Sequence, residues 1–489
     1  MINYDKYNPG SIFDYSKKLL GKTLKEAIES TENMSVKQID DLFHSCRTGK
    51  GSLGQLVEEL FFKYKVNSNP NPDFEEAGLE LKCTPLKKAR DGQTLLIKER
   101  LVCGMIDYEH IISESFENSH FYNKCRLMLL LFYLHIKEIP VYDLQFIFAL
   151  LWKLPEKDLK IIRHDYNIIV NKIKAGKAHE LSEGDTFYLG ACRKGQKGDK
   201  LVKQPYSDIL APKRAFSLKP AYMRTILELA KKSKDGTHTN TDYKPLSLVS
   251  EEDLKKNTFE EILLNRFQPF IGKTLKEISD LKKTKFNVKD KSRWANAAKI
   301  IATGLTDISR NPDNSEEFQK SGIRMKTIRL EKNGMPKESM SFENIDFYEV
   351  DECENFEDSR LFEIFTNRFF FVIYKKDDNK TENFYRNGII ETGPAYVLDK
   401  VFFWTMKNED LVLAEKYWIN IKENIKRKTT KIGINNFYTL KDKKYFHVRP
   451  KAQNKLDRTS TPYENDTDKQ CYWFNADYVS KIIKEYSSF

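Results

Sequence analysis

The chain has 489 residues, 40% of them hydrophobic and 12% aromatic, which is too long for one ordinary core and suits two domains of about 200–250 residues. Lys plus Arg exceed Asp plus Glu by 82 − 71 = 11; this favours a polyanionic partner and speaks to association rather than to fold. Apolar runs such as 127–134 are too short to span a bilayer, and the first 15 residues lack the charged and apolar regions of a signal peptide. Seven scattered cysteines with no C-x-x-C pair argue against a zinc site or a disulfide framework. The expectation is a cytoplasmic protein with no membrane partner.

In chain order, Leu53, Leu56, Val57, Leu60, Phe61 and Tyr64 recur at helical spacing and predict one buried helix face. Leu79 and Leu81 alternate with Glu80 and Lys82, a strand pattern with both charges on one side. The stretch RLMLLLFYL ending at Leu134 reads as a buried strand. Pro155 opens a helix with Leu159, Ile162, Tyr166, Ile169 and Ile173 on one face, ended near Gly176. The polar stretch 231–244 has no hydrophobic period and suggests a boundary, giving domains 1–235 and 236–489. Beyond it, Leu411, Ala414, Trp418, Ile421 and Ile425 make a second helical stripe. Each half is predicted to be mixed α/β, a small sheet flanked by helices.

The halves echo each other. GKTLKE at 21–26 recurs unchanged at 272–277, and AGLELK at 77–82 is matched by SGIRMK at 321–326. Lys98-Glu99 followed by Ile106-Asp107-Tyr108 is matched by Lys337-Glu338 followed by Ile345-Asp346-Phe347. FSLKPAY at 216–222 parallels YWFNADY at 472–478. Four echoes in one order indicate a duplication.

The chemistry lies in Pro72-Asp73 followed by Glu80-Leu81-Lys82. Phosphodiester hydrolysis needs an activated water, neutralised phosphate charge and a stabilised leaving oxygen, all of which Mg²⁺ supplies when hard oxygens hold it with positions left open. Asp73 and Glu80 offer carboxylates and the Leu81 carbonyl a further oxygen. Lys82 shares a face with Glu80. Glu58, on the polar side of its predicted helix, can approach the same metal. In a chain with 31% charged residues an E-x-K is more often a solvated face. The Pro-Asn-Pro run before Asp73, which fixes the entry of the chain, favours a site.

With Lys50-Gly-Ser-Leu-Gly-Gln-Leu-Val-Glu58 ahead of that motif, the first half resembles MutH, the GATC-specific mismatch-repair endonuclease. The two-copy layout resembles the Sau-type II restriction endonucleases, which cut GATC. The resemblance implies a restriction-endonuclease-like PD-(D/E)xK fold and a Mg²⁺-dependent type II deoxyribonuclease acting on double-stranded GATC DNA. Asp73, Glu80 and Glu58 would be metal carboxylates and Lys82 the catalytic lysine, with Lys124 a second active-site lysine. Lys50 and Glu99 would lie on base-contacting loops, and Arg193 and Lys194 on the recognition loop. The family's Arg-Pro-Lys stands here as Arg-Lys-Gly, and Ser217 replaces a tyrosine linked to sensing adenine methylation. The alternatives are a MutH-like repair nickase and a non-catalytic DNA-binding regulator.

Aligned on Lys50 with Lys291 and on Gly78 with Gly322, the second copy sets Lys299 opposite Glu58, Glu317 opposite Asp73 and Arg324 opposite Glu80. It retains Lys82 as Lys326. Such a set repels a metal yet suits phosphate, so the second half is expected to bind DNA and promote cleavage, through Arg449, Lys451 and Trp473. His179 and His447 are read as ordinary polar residues. A palindromic target and one live site per chain imply dimerisation on DNA.

Overall fold

The computed structural model describes residues 3–32, 36–44, 52–64, 71–195, 200–233, 246–305, 311–452, 454 and 456–486. The chain packs into two compact units. One is Met1–Lys244 with Gln319–Ser321; the other is Pro245–Phe318 with Gly322–Phe489. Residues 234–244 of the expected boundary lie outside the described residues, while Lys231 and Lys232 still belong to a helix.

In the first unit, strands β1 (Glu80–Lys88), β2 (Leu95–Ile97), β3 (Leu101–Met105), β4 (Leu127–Leu134) and β5 (Phe146–Lys153) are followed by β6 (Leu189–Arg193), β7 (Val202–Gln204), β8 (Ser207–Ala211) and β9 (Arg214–Leu218). One sheet runs β2-β1-β4-β5, a second β3-β9-β6, and β7 pairs with β8 alone. The β1–β4 pair is parallel, with Glu80 beside Met128 and Lys82 beside Leu130. Strand β4 is buried through Met128–Phe132, which explains its unbroken apolar run.

The second unit repeats this plan. Strands β10 (Arg324–Leu330), β11 (Met340–Asn344), β12 (Phe369–Arg386) and β13 (Ile389–Trp404) precede β14 (Phe446–Pro450), β15 (Arg458–Thr459), β16 (Thr467–Asp468) and β17 (Gln470–Phe474). The sheets run β10-β12-β13 and β11-β17-β14, with β15 and β16 paired. The parallel β10–β12 pair sets Arg324 beside Phe369, as β1–β4 sets Glu80 beside Met128.

Smaller features recur at matching places. Gly78 and Gly322 end their turns in left-handed backbone, at φ 60° and 68°, where a side chain would be strained. Ser119 and Ser359 each cap the helix entering the parallel strand. The long helices Glu156–Lys174 and Asn408–Lys426 each carry a buried aspartate bound by a tyrosine of the last helix of the unit. Tyr222 donates to Asp158 at 2.7 Å and Tyr478 to Asp410 at 2.8 Å. These tyrosines close the FSLKPAY and YWFNADY echoes.

Two turns along the first long helix, fully buried Asp165 accepts the backbone N–H groups of Phe187, Tyr188 and Leu189 at 2.9, 2.7 and 3.0 Å. It pins the entry to β6. Tyr417 holds the matching place and donates to the His447 carbonyl at 2.7 Å. Asp165→Ala would orphan three buried donors at about 1–3 kcal/mol each. Chemical denaturation should show a loss of about 3 kcal/mol or more, well beyond that of a surface Asp→Ala control.

Candidate active site

The local fold brings the motif together at the head of β1. Phe74 and Leu79 pair across the turn Glu75–Ala77, so Asp73 returns beside the strand. The Leu81 N–H donates to Asp73 Oδ2 at 2.9 Å, and the Asp73 N–H donates to Glu80 Oε2 at 3.2 Å. Glu80 is 0% exposed. Its Oε1 takes Lys82 Nζ at 2.5 Å and Lys124 Nζ at 3.4 Å. Leu81 is buried, and its amide fixes Asp73.

The segment carrying Glu58 departs from the regular helix expected. The predicted helix runs only over Ser52–Leu56 and continues as a π-helical turn, Val57–Phe61. The wider turn changes the rotation per residue, and Glu58 is 9% exposed. Burial, followed by the charges of Asp73 and Glu80, pushes its carboxyl up to about 8. Burial and then Glu80 push Asp73 up to about 6. Burial works against the Lys82 charge, yet Glu80 and Asp73 outweigh it and hold the ammonium above the ordinary lysine range. Among the described residues no three His, Cys, Asp or Glu side chains close on one point. The bonded pair is Asp73 and Glu80, with Glu58 within electrostatic reach.

The other candidates are spread more widely. Lys50 lies outside the described residues. Glu99 sits between β2 and β3, with Lys98 Nζ 3.1 Å from its carboxylate. Arg193 ends β6 exposed, and the Lys194 N–H binds the Lys213 carbonyl at 2.8 Å. His179 Nδ1 lies 2.9 Å from Gln204 Nε2. Ser217 is buried on β9. In the second unit Arg449 lies over the Trp473 ring at 5.6 Å, and Trp473 stacks on buried His447 at 5.8 Å. Lys451 Nζ donates to Ser341 Oγ at 3.1 Å and to the Phe342 carbonyl at 3.2 Å.

The pairing of Glu317 with Asp73 is wrong. Fully buried Glu317 accepts from the backbone amides of Leu248 and Val249 and from Ser247 Oγ, so it holds the start of its own unit. The charge that Lys326 feels in the place of Asp73 belongs to Asp313, in Asn311-Pro312-Asp313, which repeats Asn71-Pro72-Asp73. That tripeptide was the missed signal. The copy thus keeps the aspartate and one lysine and puts Arg324 at the head of β10. Arg324 Nη2 binds Glu343 at 2.6 Å, and Arg360 grips the same carboxylate at 2.9 and 3.0 Å. Counted from the capping serines, Lys124 is matched by fully buried Ile364.

A mixed sheet built twice, with a carboxylate–lysine cluster at the head of a strand in the first copy, is the architecture of restriction-endonuclease-like nucleases. The family model "DNA mismatch repair enzyme MutH" matches residues 62–165 and 307–413. The type II restriction enzyme Sau3AI of Staphylococcus aureus is 32% identical over 487 residues, covering 90% of this chain and 94% of that protein. The mismatch repair protein MutH of Shewanella woodyi is 25% identical over 220 residues (43% and 93% covered), and that of Shewanella amazonensis 28% over 185 (37% and 80%). The chain belongs to the Sau3AI family of type II restriction enzymes, with two MutH-like halves, and is a site-specific deoxyribonuclease. No helix among the described residues is long and apolar enough to cross a membrane.

Lys326 makes the contrast between the copies measurable. Burial, then Arg324 and Lys451, push its ammonium down to about 8 from 10.5. Between these values the folded state binds fewer protons than the unfolded one, so stability rises with pH across that window and the penalty is complete below it. Lys326→Met should raise the denaturation midpoint at pH 7 and flatten the rise between pH 8 and 10.5. Urea titrations at several pH values measure both.

Proposed function

We propose that this enzyme cleaves double-stranded DNA at GATC with Mg²⁺, using the cluster at the head of β1, and that residues 236–489 bind DNA and promote cleavage. The observation that carries the reading is Glu80, buried, bonded to the Asp73 amide and facing two lysines through one oxygen. The GATC target rests on the resemblance of the 50–58 and 73–82 segments to enzymes of that specificity. Coverage of nearly the whole chain by a restriction enzyme, against 43% by a repair protein, favours restriction over repair nicking.

The donor set suits a hard divalent ion. Asp73 and Glu80 would hold it, with Glu58 and the Leu81 carbonyl adding oxygens, and Mg²⁺ commonly binds through one or two carboxylates with waters filling the rest. Burial first, and then repulsion among the carboxylates, raise the Glu58 and Asp73 carboxyls, and a divalent cation would offset that repulsion. Bound there, Mg²⁺ supplies an activated water and neutralises charge on the phosphate. Lys82, whose ammonium Glu80 and Asp73 stabilise, would orient the attacking water, with Lys124 on the same Glu80 oxygen. Arg193, Lys194, Lys50 and Glu99 would contact the bases in this reading, with donors suited to guanine and a carboxylate suited to cytosine.

Asp73→Ala should reduce plasmid cleavage in Mg²⁺ to background, and Lys124→Ala should slow it by about 10²–10³-fold. Both should keep DNA binding in EDTA. A native protein that leaves GATC plasmids intact in Mg²⁺ would remove the proposal. One such site per chain and a palindromic target call for two chains on DNA. Gel filtration should show a larger species with a GATC duplex than without it; a monomer that breaks both strands in one binding event contradicts the pairing.

A further inference from the structure

The second unit has a group of cations that the nuclease chemistry does not use. Lys326 Nζ donates to the Ser341 carbonyl at 2.7 Å, and Lys451 Nζ to Ser341 Oγ at 3.1 Å, so both ammoniums converge on one residue of β11. Neither makes an ion pair with a carboxylate among the described residues. Arg324 stands two residues before Lys326 on β10, and its Nε is buried with no hydrogen-bond partner. Its other end is fixed by Glu343, which Arg360 also grips. Buried donors are rarely left unmatched, and the two carboxylates near the group, Glu343 held by Arg324 and Arg360 and Asp313 whose charge reaches Lys326, leave that Nε–H unpaired. Lys451 is exposed, so the group opens to solvent.

We propose that Arg324, Lys326 and Lys451 form a metal-independent clamp for one backbone phosphate of DNA, at the place in the second unit where the first carries Glu80 and Lys82. Arg324 offers its free Nε–H, and the two lysines offer charge from the Ser341 side. The clamp rests on the reading that residues 236–489 bind DNA. Arg324 at the head of β10 explains why the same skeleton takes phosphate without a metal: a guanidinium replaces the ion as the positive centre. The depressed Lys326 ammonium agrees with this, since a bound anion restores the charge that burial opposes.

The test is binding of the full chain to a short GATC duplex in EDTA, which prevents cleavage, over a range of salt concentrations. Losing a phosphate contact reduces the slope of log K against log salt by about 1. Lys326→Met/Lys451→Met should show that shallower slope and affinity about tenfold lower at low salt, with a thermal midpoint no lower than that of the native chain. Arg449→Ala, in the Arg-Pro-Lys loop, is the reference for DNA binding by this half. If Arg449→Ala weakens binding while the double variant keeps native slope and affinity, the clamp is wrong and the binding role stands. If neither variant changes binding, the second half does not hold DNA and both ideas fall.

Discussion

The structure of the site depends on one reciprocal contact. The Asp73 carboxylate takes the Leu81 amide, and the Glu80 carboxylate takes the Asp73 amide. A loop carboxylate and a strand carboxylate are thus locked to each other's backbone before any ligand arrives. Each aligned amide partly offsets the charge of the group it faces, which lets two acids stand together in a buried corner. Glu80 leads a strand fixed by parallel pairing to β4, so the corner inherits the rigidity of the sheet.

The second unit shows how little of that frame the chemistry requires. Strand order, parallel register, capping serines and tyrosine–aspartate buttresses are common to both units. At the site, the units differ in the residue matched to Lys124 and in the charge at the head of one strand. An arginine there turns a corner that concentrates negative charge into one that concentrates positive charge. The same scaffold therefore carries a carboxylate pair with two lysines in one copy and a guanidinium in the other, in keeping with function residing in sites carried by folds.

Much of the frame was legible because it obeys simple periods. The alternation at 79–82 gave β1 and put Glu80 and Lys82 on one face, and the stripe after Pro155 gave the helix Glu156–Lys174. Lys124 came from the resemblance, and it does reach Glu80. Two details differ where the backbone leaves its regular period. Glu58 was expected on a regular α-helix facing the site, and it stands instead in the π-helical turn Val57–Phe61. Asp313 was missed because the alignment was anchored on Gly322, while a helix, Glu316–Ser321, stands where the first copy has only the short turn Glu75–Ala77. The extra residues shifted the register and put a structural glutamate, Glu317, in the aspartate's place.

The position matched to Lys124 carries a consequence for descent. Ile364 there is fully enclosed, with Phe365 beside it, in the apolar core of the second unit. Changing Arg324 back to an acid would renew one member of the lost set. Regaining the second lysine would drive a cation into closed hydrocarbon, at a cost of several kcal/mol. With aliphatic packing in that place, no single substitution gives the second copy the cluster of the first, and the two copies differ in the core as much as at the surface.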